Sequence, residues 1–145
     1  MQRPQKSASA SNAWTGAQTA QRRWQVIALL YGLFFLITLA AAYSGNLPSW
    51  FQAIPYYDKV GHVGLYAIAT YLGHRLLNYR KIRLGSALLP LFPLGFALFT
   101  TAEELGQGLS PNRTLDALDL VCSLVGVVLG YGLAWRSQRQ HDHSV

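Results

Sequence analysis

Cysteine is almost absent from this sequence of 145 residues. Cys122 stands alone, which excludes an intramolecular disulfide, and its place inside an apolar run makes it an ordinary small buried residue. Charge is scarce too: Asp, Glu, Lys and Arg make up 12% of the chain, about half their usual share in soluble domains. Acids are the scarcest, six against twelve Lys and Arg. The resulting pI near 9.8 does not indicate a nucleic-acid partner, because the basic residues are dispersed over short segments between apolar runs and build no DNA- or RNA-binding motif. There is no nucleophile elbow, no H-E-x-x-H and no phosphatase-like cluster, so no reaction, cofactor or metal is indicated by motif. His141 and His143, in a polar tail, lack the supporting residues of a metal site.

What the chain has in quantity is apolar surface, with 51% hydrophobic residues. Four segments carry it: Val26–Tyr43, Val60–Leu77, Leu84–Ala102 and Leu115–Trp135. Each approaches the roughly 20 residues that cross a bilayer as helix, and none alternates as a membrane strand would. The expected fold class is therefore all-α, a polytopic membrane protein of four transmembrane helices. Residues 1–24 form a polar tail expected to be disordered, 25–135 the four-helix domain, and 136–145 a second polar tail. Lys and Arg number four before the first span, four between the second and third and two after the fourth, against Lys59 and Arg113 in the other two loops. That asymmetry places both termini and the middle loop in the cytoplasm. Arg22, Arg23 and Ala40-Ala41-Ala42 also resemble a cleavable secretory signal, but the apolar stretch is longer than such signals carry, and the first span is expected to be retained.

The polar residues then gather at the outer ends of the spans. Asp58, Lys59 and His62 open the second, Glu103, Glu104 and Gln107 close the third, and Arg113, Asp116 and Asp119 open the fourth. At 100° per residue, Asp58, His62, Tyr66, Ala69 and Gly73 share one face of the second helix. Pro93, Ala97, Thr100, Glu104 and Gln107 share a face of the third, and Asp116, Asp119, Ser123, Gly126, Gly130 and Ala134 one of the fourth. These faces are polar outside and small inside, and they are expected to meet, although Gly126 and Gly130 would equally serve a homodimer seam. Asp58 and Asp116 suit helix N-termini, and Lys59 can snorkel to headgroups. Asp119, about a turn inside its span, requires a partner, for which Arg113 is the expected choice. Pro90 and Pro93 are expected to kink the third helix.

The order of these residues resembles the VanZ-like family of small bacterial integral membrane proteins, named for a member linked to low-level teicoplanin resistance. The likeness rests on D-K-x-x-H-x-x-x-Y from Asp58 to Tyr66, E-x-x-Q from Glu104 to Gln107, P-x-R from Pro111 to Arg113, then Asp119, Gly126 and Gly130. Val63 replaces the family's usual Phe, and Ser123 its usual Asn, which keeps a hydroxyl but loses the amide donors. The resemblance implies a multi-pass protein of the bacterial inner membrane with a link to glycopeptide resistance. On the residues themselves, one expectation is a site for an anionic amphiphile: a lipid, a lipid-linked cell-wall precursor or an antibiotic. Lys59 and Arg113 would hold its charge, with Asp58, Tyr66, Gln107 and Ser123 orienting the head. The alternative is a membrane-embedded enzyme on the same class of substrate. His62 would be its acid/base, with its tautomer set by Asp58, and Glu104 or Asp119 would supply a second carboxylate, acting as a base or joining His62 around a divalent ion. Transport is disfavoured because the ionisable residues stop in the outer third of the spans.

Overall fold

The computed structural model describes residues 6–46, 56–109 and 115–142. Its elements are α1 (Lys6–Tyr43), α2 (Tyr57–Leu76), a hairpin of β1 (Lys81–Leu84) and β2 (Ala87–Pro90), α3 (Leu91–Gln107) and α4 (Ala117–Asp142). Two helical stretches are long and apolar enough to cross a membrane: Gln18–Tyr43, of mean hydropathy 2.3, and Ala117–Gln140, of mean hydropathy 2.0. Their outward surfaces are aliphatic, with Leu29 66% and Val128 67% exposed, as lipid-facing side chains would be. α2 owes its lower apolarity to the polar residues along it, and α3 has only 17 residues, about 26 Å of helix.

Two expectations are corrected here. α1 begins at Lys6, inside the segment expected to be disordered, and runs without a break into the apolar helix. The third apolar segment is not helical from Leu84. Residues 81–90 form an antiparallel hairpin pairing Lys81 with Pro90, Ile82 with Leu89, Arg83 with Leu88 and Leu84 with Ala87. Gly85 turns it at a φ of 61°, a conformation that glycine adopts freely and that suits the first central position of a two-residue hairpin loop. Pro90 then stands just ahead of α3 and Pro93 in its first turn, where no intrahelical donor is lost; neither proline sits mid-helix to kink it.

The centre of the molecule is the α2–α4 pair. The two backbones touch through glycine: a Cβ on Gly126 would lie 2.6 Å from the Val63 carbonyl, and one on Gly130 would overlap the Ala67 carbonyl. Both glycines thus face α2 within the chain rather than a homodimer seam. α3 covers the polar end of this pair. α1 joins on the other side of α2 through an aromatic cluster in which Phe35 packs edge-on to Tyr66 at 5.3 Å and meets Phe96 at 5.7 Å. Further in, α1 is fastened by Gln21 Nε2 donating to Asn78 Oδ1 (3.1 Å) and by the Arg75 guanidinium over the Trp24 ring at 4.1 Å. Arg75 also donates to Tyr71 and to Ser137 of α4, so it ties three helices at the end opposite the acids.

Candidate functional site

The first turn of α2 and the first turn of α4 lie side by side, which brings Lys59 among three carboxylates. Its Nζ stands 2.9 Å from Asp58 Oδ2, 2.7 Å from Asp116 Oδ2 and 2.8 Å from Asp119 Oδ1. The ammonium donates hydrogen bonds to Asp58 and Asp116 and holds Asp119 as an ion pair. Lys59 and Asp116 both precede the apolar runs that begin at Val60 and Ala117. Lys59 is held well above the ordinary lysine value, by Asp116 first, then Asp119 and Asp58. Asp116 is held below the ordinary aspartate value by Lys59 and by the amide of Leu118. The latter contact, Leu118 N to Asp116 Oδ1 at 2.8 Å, also makes Asp116 the N-cap of α4.

A second layer lies beneath. His62 Nδ1 is 2.8 Å from Ser123 Oγ, and its Nε2 is 3.8 Å from Asp119 Oδ2, close enough for electrostatic attraction but too long for a hydrogen bond. On the other flank, Gln107 Nε2 donates to Glu104 Oε2 at 3.0 Å and to Glu103 at 3.1 Å, and the Tyr66 hydroxyl donates to Glu103 at 3.3 Å. Glu104 is 3% exposed and accepts the Asp116 amide at 2.9 Å, so this carboxylate joins α3 to the start of α4.

The faces derived from helical phase are buried along most of their length, with Asp58 and Asp116 half-exposed at the polar end. Tyr66 and Gly73 of α2, Pro93, Thr100, Glu104 and Gln107 of α3, and Asp119, Ser123, Gly126, Gly130 and Ala134 of α4 all point inward. The partnerships differ from expectation in two respects. Asp119 is paired with Lys59, and Arg113, its expected partner, lies outside the described residues. Asp58 turns to Lys59 and makes no hydrogen bond to His62, whose ring is oriented by Ser123. Glu103 was not among the residues singled out for a role, yet it is the hub of the Tyr66–Gln107 contacts; its position four before Gln107 was the available signal. The inner half of the bundle is also less apolar than expected. Thr70 and His74 continue the four-residue series of Asp58, His62 and Tyr66 along α2 and are fully buried; Thr70 Oγ1 and His74 Nδ1 have no hydrogen-bond partner among the described residues. His74 is flanked edge-on by Tyr79 and Tyr131, each at 5.4 Å.

No known family, characterised protein or solved structure matches this chain. Its chemistry rests on the geometry alone. Among the described residues no group of three His, Cys, Asp or Glu is arranged to hold a metal ion, so His62 with Glu104 or Asp119 does not complete one there. What the polar cluster does border is a cavity of about 430 Å³ between α1, α2 and α3. One wall is apolar, from Phe34, Phe35, Ile37, Leu39, Ala41 and Ala42 of α1. The facing end presents Asp58, His62, Tyr66, Glu103 and Gln107. A greasy wall with a few convergent polar groups is the form of a small-molecule pocket, and this volume lies in the usual range.

Proposed function

We propose that this chain is a four-span membrane protein of VanZ-like type that binds an amphiphile in the cavity between α1, α2 and α3. The ligand's tail lies along α1 and its head reaches Asp58, His62, Tyr66, Glu103 and Gln107. The observation that carries this reading is the cavity itself, apolar on one helix and polar on the two others. The basic residues at the opposite end of the bundle support an orientation with both termini cytoplasmic and the cavity at the outer leaflet. Candidate ligands are a lipid, a lipid-linked cell-wall precursor or a lipophilic glycopeptide, and the effect on the cell would be altered glycopeptide susceptibility. Recognition of an anionic head by Lys59 is not favoured, because its ammonium is already enclosed by three carboxylates. The cavity's polar groups suit a head that donates hydrogen bonds, such as an amine, a hydroxyl or an amide.

A catalytic reading has one observation in its favour: His62 lines the cavity with its ring held by Ser123, as an acid/base would be. Ser123 itself is 1% exposed and does not line the cavity, so it serves His62 rather than a substrate. The test is to purify the wild type, Ala42→Trp (which fills the cavity from α1) and His62→Ala from cells with matched expression. Co-purifying amphiphiles are then identified by mass spectrometry, and the cells are assayed for teicoplanin susceptibility. Binding predicts a species retained by the wild type and lost in Ala42→Trp. Catalysis predicts that His62→Ala retains a precursor that the wild type has converted. Identical co-purifying species in all three would refute the cavity as a binding site.

A further inference from the structure

The hairpin of β1 and β2 is two-faced. Cross-strand partners share a face, so Ile82, Leu84, Ala87 and Leu89 form one side, wholly apolar. Lys81 and Arg83 project from the other beside their cross-strand partners Pro90 and Leu88, with Arg80 immediately before the strand. Leu84 is 65% exposed and Ile82 and Leu89 partly so, leaving the apolar side uncovered towards the tip. Arg80, Lys81 and Arg83 are exposed and make no ion pair among the described residues, whereas Arg75 nearby is engaged with Trp24, Tyr71 and Ser137.

The backbone limits where such an element can lie. A two-stranded sheet has two open edges whose amides and carbonyls need water or polar partners, so it cannot enter hydrocarbon. Yet Leu91 N donates to Arg80 O at 2.9 Å, closing the hairpin directly onto the first residue of α3. A helix of 17 residues is a few ångströms short of the ~30 Å core, so its start lies close to the headgroup layer. The hairpin is therefore held at the boundary between acyl chains and headgroups, on the side carrying Arg22, Arg23, Arg136 and Arg139.

We propose that the hairpin of residues 81–90 is an anionic-lipid contact. Its apolar face seats on the upper acyl chains, and Arg80, Lys81 and Arg83 take headgroup phosphates. The proposal rests on the membrane reading above, and its test separates the two. Single cysteines are placed at Leu84 and, as a reference on α1, at Leu33, in a Cys122→Ala background, and labelled with an environment-sensitive fluorophore. The proteins are reconstituted in vesicles of phosphatidylcholine alone or mixed equally with phosphatidylglycerol, with quenchers at shallow or deep acyl positions. The label at Leu33 should be quenched by the deep probe. The label at Leu84 should be quenched by the shallow one, more strongly with phosphatidylglycerol and less in high salt. Neutralising Arg80, Lys81 and Arg83 to Gln should remove that lipid preference, at about fivefold per cation. A quenched Leu33 label with a Leu84 label open to aqueous iodide, or indifferent to anionic lipid and to the Gln substitutions, overturns the hairpin proposal alone. Failure of Leu33 to meet the deep quencher overturns the membrane reading with it.

Discussion

Replacing Lys59 with Met should reveal which of its three partners depends on it. All three carboxylates stand within 2.9 Å of Nζ, but they differ in access to water: Asp58 and Asp116 side chains are 40% and 36% exposed, whereas that of Asp119 is 10% exposed. Without Lys59 the first two rehydrate and only Asp119 is stranded. Breaking a buried pair costs about 3–5 kcal/mol, and because Lys59 is itself 24% exposed the low end, about 3 kcal/mol, applies. For a chain of this size that is a fall in Tm of roughly 6–12 °C. Cys122, the only thiol, lies three residues from Asp119, so a thiol-reactive dye in detergent reports unfolding of this very region. The decisive comparison is among double variants. Lys59→Met with Asp119→Leu should return to within about 1 kcal/mol of wild type, since a buried pair can be exchanged for apolar residues at little net cost. Lys59→Met with Asp58→Asn or Asp116→Asn should remain as unstable as the single variant. If Lys59→Met melts with the wild type, or if Asp58→Asn rescues it as well as Asp119→Leu does, the assignment of the buried charge is wrong.

Two further outcomes follow from the same geometry. Gly130→Ala forces its new methyl against the Ala67 carbonyl and should cost about 1–3 kcal/mol, whereas Gly32→Ala, with open space around it, should be neutral or slightly stabilising; equal melting of the two variants would contradict the close α2–α4 contact. Because Asp116 is held below the ordinary aspartate value of 3.8, its contribution is complete above that value and lost as the pH falls through the lower folded one. Melting temperature should therefore be level from neutral pH down to this range and then drop, with a smaller drop in Asp116→Asn; a rise in stability on acidification would oppose the assignment.

The helical phases were legible because a polar face repeated on three segments leaves few ways to bury it; the buried residues of α3 are those the periodicity selects, and in α4 only Val127 is buried outside the selected face. Who pairs with whom was not legible. By sequence Arg113, six residues before Asp119, is the expected partner, and only the approach of α2 to α4 at Gly126 and Gly130 places Lys59 there. The hairpin was hidden by composition: Leu84–Pro90 is as apolar as a helix start, and its signals were Gly85-Ser86 as a two-residue turn and Pro90 as a boundary. Thr70 and His74 fall outside the narrow face of Asp58, His62, Tyr66, Ala69 and Gly73, because each four-residue step drifts by about 40° around the helix.

The position of α1 has a consequence for how such a protein can change. The cavity's charged and hydrogen-bonding groups, apart from Thr38, all come from α2 and α3, which are locked to α4 by Lys59, Glu104 and the glycine contacts. Its apolar wall comes almost wholly from α1, which touches the others chiefly through aromatic rings and a few hydrogen bonds, among them Tyr31 to the Leu65 carbonyl. Substitutions along Phe34–Ala42 can therefore reshape the apolar side of the cavity without disturbing the ion cluster. Under the proposed binding of an amphiphile, selectivity for chain length and branching would drift along one helix while the chemistry facing the head stayed inherited on two others.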